Sequence, residues 1–371
     1  MFTEGYGWER PKWFSLDGRE EVCSFRHNNV FEVVAAECRA VRERVGVMEL
    51  PSFAKFEVTG QGAEAFLDRL CANRMPRRDG GIALAHALND GGRFLTELTI
   101  TRLGPDRFFL LSGAVAHRRD LDLLRFSLRD DEAVEIEDVT DAWTALIVAG
   151  PRSRDLLATL TSTDLGSPAF PWLTGREMEV AGIGVRALRV NYVGELGWEL
   201  HVRMDDVVAL YDAVWAAGEA LGIADFGLYA MNSLRMEKAY PGWGVELTNE
   251  VTPVEASMER FVKLGHDFTG RDAVLAAREQ GVGTHLVCLE VGPSDSDAAG
   301  GEPVFAGDRA IGVTTSGGFG HATGKSLAFA YVDHGFEPAG TSLEVELIGV
   351  RLPATVLADA VYDPGNERLR A

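Results

Sequence analysis

The chain has 371 residues, 46% of them hydrophobic and 25% charged, and a formal charge of −20. That length exceeds what one hydrophobic core supports, so two or three subdomains are expected, and the composition excludes a disordered or fibrous protein. The acidic balance excludes nucleic acid, whose phosphates need clustered Lys and Arg, and it disfavours anionic membrane surfaces.

No apolar run reaches the roughly eighteen residues that cross a bilayer. The start, Met1 to Glu9, has neither a basic n-region nor an Arg-rich amphipathic stretch, which predicts a cytoplasmic protein. Cys23, Cys38, Cys71 and Cys288 form no C-x-x-C pair, which suits a reduced compartment. The histidines are dispersed, with Cys23 and His27 the only near pair, so no metal is assigned.

In chain order, Val30, Val34, Cys38, Val41 and Val45 recur at helical spacing and predict a helix over 29–44 that stops near Gly46. The order then reads strand 54–59, helix 62–71, strand 94–101, strand 107–112, helix 115–128 and strand 133–139. This is a split β-α-β-β-α-β, ferredoxin-like unit. A weak internal repeat follows from Thr144, with a helix from Pro151, strands at 184–190 and 196–203, and a helix over 205–221 whose Val207, Leu210, Val214 and Leu221 share a face. A helix is predicted over 228–240, ending before Pro241-Gly242. The polar stretch 292–301 reads as a loop, and short segments at 310–315, 327–333, 343–349 and 353–358 suggest a small antiparallel barrel.

Several motifs fail. Gly317 to Ser326 ends like a phosphate-binding loop, but Phe319 stands where its first glycine is required. No Gly-x-Gly-x-x-Gly follows a strand near the start, so the chain is expected to carry no flavin or nicotinamide of its own. Neither a Gly-x-Ser-x-Gly elbow nor a Cys/His constellation supports a hydrolase.

Three stretches remain. Tyr192-Val-Gly-Glu-Leu-Gly-Trp-Glu199 reads as a hairpin with a tight turn, which lets Tyr192 and Glu199 approach from opposite strands. A carboxylate there can accept two adjacent N–H donors of a planar ring while an aromatic side chain covers its face; the alternative is an ordinary surface hairpin. Residues 227–254 hold Arg235, Glu237 and Tyr240 in the predicted helix. In Leu88 to Ile100, alternation sets Phe94, Leu98 and Ile100 on one face and Leu95, Glu97 and Thr99 on the other, so Glu97 points either to solvent or into a cleft.

Together these stretches resemble the aminomethyltransferase family, the T-protein of glycine cleavage, and more closely the folate-binding parts of dimethylglycine and sarcosine dehydrogenases. The likeness runs from about residue 5 to 360. It includes Gly7 to Phe14, Arg260 to Lys263, Asp267 to Arg271, Gly312 to Gly317 and Gly324 to Val332. It implies an α+β fold of three subdomains with folate in a central hole: 1–50 with 142–278, a ferredoxin-like 51–141, and a C-terminal antiparallel β-barrel over 279–371.

By the resemblance, Tyr192 and Glu199 fall on the family's pterin-contacting Tyr and Glu, with Glu195 between them as a further cofactor contact. Tyr240 falls on an aromatic that lies against the folate. Arg235 implies either a structural ion pair with Glu237 or a contact to the folate tail. The family's essential Asp falls on Glu97, which becomes the candidate catalytic carboxylate beside the reactive folate nitrogens. Two departures stand out: Glu for Asp at 97, and Met231 where T-proteins carry Arg.

The resemblance thus implies a tetrahydrofolate-dependent one-carbon transferase or demethylase. It would take a methylene unit from a small methylated, N-methyl compound whose oxidation a separate flavin oxidoreductase subunit supplies, or a methyl unit directly from an O-, S- or N-methyl donor without an oxidant. A non-catalytic folate-binding subunit of an amine oxidase complex is the alternative. The methyl donor is not legible in the sequence.

Overall fold

The structure is a computed structural model and describes all 371 residues. The chain opens with a hairpin, β1 (Phe2–Gly5) and β2 (Trp8–Pro11), then helix α1 (Phe31–Glu43) and strand β3 (Val45–Glu49). Next come β4 (Ala54–Thr59), α2 (Ala63–Leu70), β5 (Ile82–Leu88), β6 (Phe94–Gly104), β7 (Arg107–Ser112), α3 (His117–Phe126) and β8 (Glu135–Asp138). Their five strands form one sheet in the order β5-β6-β7-β4-β8. Without the edge strand β5 this is the ferredoxin-like arrangement predicted from the sequence, with α2 and α3 packing Phe66, Leu67 and Leu124 onto Phe56, Leu98, Ile100 and Phe108. β5 was not predicted. Its Ile-Ala-Leu-Ala-His-Ala-Leu run has little β-branched content and is a strand because β6 pairs with it.

The second sheet takes β9 (Trp143–Ala149), β10 (Gly175–Val180), β11 (Ile183–Leu188), β12 (Gly197–Arg203) and β13 (Ile223–Asp225), and it recruits β3 from the N-terminal part. Its order is β10-β11-β12-β9-β3-β13. Both faces are covered. Leu146 and Val148 of β9 pack toward α4 (Ser153–Leu157) and α5 (Val207–Gly218), while Ile147 and Ala149 pack toward α1 and α6 (Leu228–Glu237). That double burial explains why β9 reads as an unbroken apolar run from Ala145 to Ala149. Each large side chain so buried contributes about 1.5–3 kcal/mol.

The α6 helix ends three residues before its predicted stop, because Ala239 turns left-handed at φ 49° and the Tyr240 N–H closes back on the Arg235 carbonyl at 3.1 Å. After α7 (Arg271–Gln280), six antiparallel strands close a barrel: β14 (Thr284–Val291), β15 (Pro303–Ala306), β16 (Arg309–Gly320), β17 (Lys325–Asp333), β18 (Ser342–Leu347) and β19 (Val350–Val356). A short α8 (Glu367–Arg370) ends the chain. No helix is long and apolar enough to cross a membrane.

The failed phosphate-loop motif is the β16–β17 hairpin. Its turn does cradle an anion, but the anion belongs to the protein: Glu237 Oε1 accepts from the N–H groups of Ala322 at 2.8 Å and Thr323 at 2.9 Å.

Candidate functional site

The tight turn expected inside the Tyr192 motif is not there. β11 ends at Leu188, which pairs with Glu199, and residues 189–196 form a loop, so Tyr192 and Glu199 do not face each other across a hairpin. The glycines serve two other purposes. Gly197 opens β12 against β9, where a Cβ would meet the Val148 carbonyl at 2.7 Å. Gly194 is left-handed, at φ 77°, and leaves room only for the Lys238 stem. Asn191 shapes the loop by accepting the Val193 and Gly194 N–H groups at 3.1 and 2.9 Å and donating to the Glu195 carbonyl at 2.8 Å.

This loop delivers Tyr192 to the end of α6. Its ring lies 6.0 Å from that of Tyr240 at an interplanar angle of 29°, and its hydroxyl donates to the Pro241 carbonyl at 2.8 Å. Burial pushes the phenol well above its usual pKa; Arg235 works against that, and the Glu97 and Glu246 carboxylates work with it. Tyr192, Tyr240 and Arg235 are therefore brought into one neighbourhood. Burial likewise raises the Tyr240 phenol.

Arg235 does not pair with Glu237, as the sequence suggested. Its guanidinium bonds Glu246 at 3.1 Å, the Tyr240 carbonyl at 3.2 Å, Asn232 at 3.0 Å and Ser316 Oγ on β16 at 2.8 Å. Four of its five N–H donors are thus committed. Glu246 is fully buried and also takes Thr315 and Ser316 hydroxyls and the Gly242 N–H, which ties the 240–246 turn to the barrel. Glu237 instead pairs with Arg42 at 2.9 Å. The reason is geometric: on a helix, residues two apart point to different sides.

Glu97 sits on β6 in an alternating pattern of buried and half-buried residues, its side chain 22% exposed, so it faces a partly open space. Opposite it in register on β5 is His86, fully buried, whose Nε2 lies 2.9 Å from Glu97 Oε2. The other carboxylate oxygen takes no bond from the protein. With His86 Nδ1 buried and unpartnered, the tautomer that satisfies this pair carries its proton on Nε2 and donates it to Glu97. Sequence reasoning missed His86; a single polar residue in an apolar strand was the signal, and only the register shows its partner.

The two remaining glutamates differ sharply. Glu195 is 1% exposed and holds Arg42 at 3.3 Å, Arg368 at 3.4 Å and the Tyr362 hydroxyl at 2.5 Å. In this arrangement the buried carboxylate faces the protein's own cations. Burial still holds its pKa above the usual range. Glu199 projects from β12 with its side chain 12% exposed, and Oε2 lies 3.3 Å from His201 Nε2. Its Oε1 takes no bond from the protein. Burial lowers the pKa of His201, and burial also brings the nearby Lys55 ammonium down to about 8. A separate cavity of about 220 Å³ is lined by His27, Phe31, Tyr229, Asn232, Phe319 and His321; none of the six predicted site residues borders it.

Two ferredoxin-like sheets and a closed barrel, joined around the end of α6, define a protein of the glycine-cleavage T-protein class. Residues 1–266 match the family described as the GCVT N-terminal domain, and residues 285–363 match the glycine cleavage T-protein C-terminal barrel domain. The chain belongs to this aminomethyltransferase family. It is 40% identical over 371 residues to the mitochondrial dimethylglycine dehydrogenase of Mus musculus, covering 98% of this chain and 43% of that protein. It is 32% identical to an aminomethyltransferase of Saccharopolyspora erythraea, covering 97% of this chain and 94% of that one. The fold matches the crystal structure of glycine cleavage system aminomethyltransferase T from Bartonella henselae with a TM-score of 0.84 at 23% identity, covering 98% and 94% of the two chains. The chain thus spans less than half the length of the dimethylglycine dehydrogenase it matches.

Proposed function

We propose that this chain binds tetrahydrofolate and transfers a one-carbon unit to it from a small N-methylated compound, with a flavin oxidoreductase performing the oxidation. The observation that carries this reading is the Glu97 carboxylate on a partly open face of β6: one oxygen held by buried His86, the other unbonded. The residues fit a reduced pterin. Glu199 has a free oxygen for the ring's N–H donors, and the two phenol rings supply apolar faces. Arg235 holds the turn that carries Tyr240.

When bound, tetrahydrofolate supplies the nucleophilic nitrogen that takes up the carbon. Glu97, aimed by its bond to His86, accepts or relays the proton lost from that nitrogen. Tyr192 stays protonated across the working pH range because its phenol is buried. The longer Glu, in place of the family's Asp, is offset by setting the carboxylate against a cross-strand histidine.

Calorimetry with tetrahydrofolate tests the binding step: saturable heat is expected, and its absence defeats the proposal. With an amine oxidase and an N-methyl amino acid added, methylenetetrahydrofolate should form in place of free formaldehyde. Retained transfer by a folded Glu97→Ala protein would remove Glu97 from the chemistry.

A further inference from the structure

Far from α6 in sequence, the barrel brings together three donor side chains that the reading of the sequence left scattered. His285 is the second residue of β14, where it pairs in register with Val332 of β17. His334 follows the last residue of β17, and its N–H donates to the Gly283 carbonyl at 2.9 Å, which fixes its backbone beside β14. Gly335, left-handed at φ 97°, then reverses the chain so that Glu337 returns over the two rings. His285 Nε2 and His334 Nδ1 stand 3.4 Å apart, and Glu337 Oε1 is 3.6 Å from the same His334 nitrogen. All three atoms lie within 4.8 Å of one another.

These separations have a chemical meaning. A tetrahedral ion with metal–nitrogen bonds of about 2.0–2.1 Å holds adjacent ligands about 3.3–3.4 Å apart. The two imidazole nitrogens are already at that spacing, and the carboxylate needs only a small rotation. Glu337 is also oriented, since its second oxygen accepts the Gly335 N–H at 2.6 Å and Oε1 is the one turned to the rings. Two imidazoles and one carboxylate suit a borderline ion such as Zn²⁺, whereas Mg²⁺ and Ca²⁺ prefer all-oxygen sites.

We propose that His285, His334 and Glu337 form a divalent transition-metal site of the zinc type, with water completing the coordination. His334 is 69% exposed, so the open position faces solvent. The ion would clip the start of β14 to the β17–β18 connection and stabilise the barrel; no step of the one-carbon chemistry is assigned to it.

The test uses the whole chain, without an affinity tag and stripped with chelator. Titration with Co²⁺ should give visible d–d absorption of tetrahedral intensity saturating at one equivalent, and Zn²⁺ should abolish it by competition. His285→Ala and His334→Ala should each weaken Zn²⁺ binding at least tenfold by calorimetry, and Glu337→Gln less. Zn²⁺ should raise the Tm of the wild type and not that of His334→Ala, whose exposed position leaves the fold intact. Absence of saturation at one equivalent, or affinity unchanged in both histidine variants, would mean an adventitious ion only and overturn the site.

Discussion

The two sheets share the order of five strands, to which the second adds β13 at its edge, and they differ in their connections. Around β4 the order is β5-β6-β7-β4-β8, and around β9 it is β10-β11-β12-β9-β3, so the internal repeat hinted at by the sequence is a repeat of topology. In the first sheet β6 and β7 are joined by Pro105 and Asp106 alone; in the second, the matching strands β11 and β12 are joined by residues 189–196. That longer connection carries Asn191, Tyr192 and Glu195. The reverse holds one hairpin earlier: β10 and β11 turn through Ala181-Gly182, while β5 and β6 turn through 89–93 just before the strand that bears Glu97. A repeated scaffold supplies rigidity, and the candidate site gathers where the two copies depart from each other.

The contrast is tested most severely at the anchor of the long connection. Arg42 donates to the Val193 carbonyl at 2.7 Å and pairs with both Glu195 and Glu237, each at most 1% exposed. Arg42→Ala should cost about 3–5 kcal/mol in urea unfolding, because it removes the ion-pair partner of buried Glu237 and one of the two cations on Glu195. An equally disruptive change is not expected at Glu97. There Glu97→Gln should lower the transfer rate about a hundredfold or more while the unfolding midpoint stays near that of the wild type, as read by parallel kinetics and denaturation.

Gly194 and Gly182 sharpen the comparison between loop and tight turn. Both are left-handed, at φ 77° and 76°, but a Cβ at Gly194 would strike Lys238 Cγ at 2.4 Å, and one at Gly182 meets nothing within 4 Å. Gly182→Ala should cost about 1 kcal/mol of backbone strain and Gly194→Ala measurably more, by thermal unfolding.

The smallest effect is a pH slope from Lys55 on β4. Its pKa falls to about 8 on burial, below the value of about 10.4 in the unfolded chain. Between those values the unfolded state holds a proton that the native state has released, so this group makes stability rise with pH through the window. The contribution is at most about 1.4 kcal/mol per pH unit. Lys55→Met should flatten the difference in urea midpoint between pH 8 and 10 relative to the wild type.

Much of this was legible without coordinates. Helix α1 follows from valines at helical spacing, all of them buried in the structure; the ferredoxin-like order and the barrel follow from strand lengths and turn residues; and the family follows from motifs in fixed order. β5 and the 189–196 loop were not, since an alanine-rich strand and a glycine-containing loop look locally like something else. Local chemistry also misjudged the charged residues. Of the two readings of Arg235, the ion pair with Glu237 rests on nearness in sequence, whereas its partner Glu246 is reached through a turn after the helix.

The sequence by itself determined which side chains face inward and which family supplies the plan, because period and composition are properties of short stretches. Tertiary structure alone decided which carboxylates keep an oxygen free. Glu97, Glu195 and Glu199 are indistinguishable as letters. Glu97 and Glu199 each retain an unbonded oxygen while Glu195 is spent on Arg42, Arg368 and Tyr362, because a carboxylate's capacity is filled by neighbours that arrive from other strands and from the end of the chain.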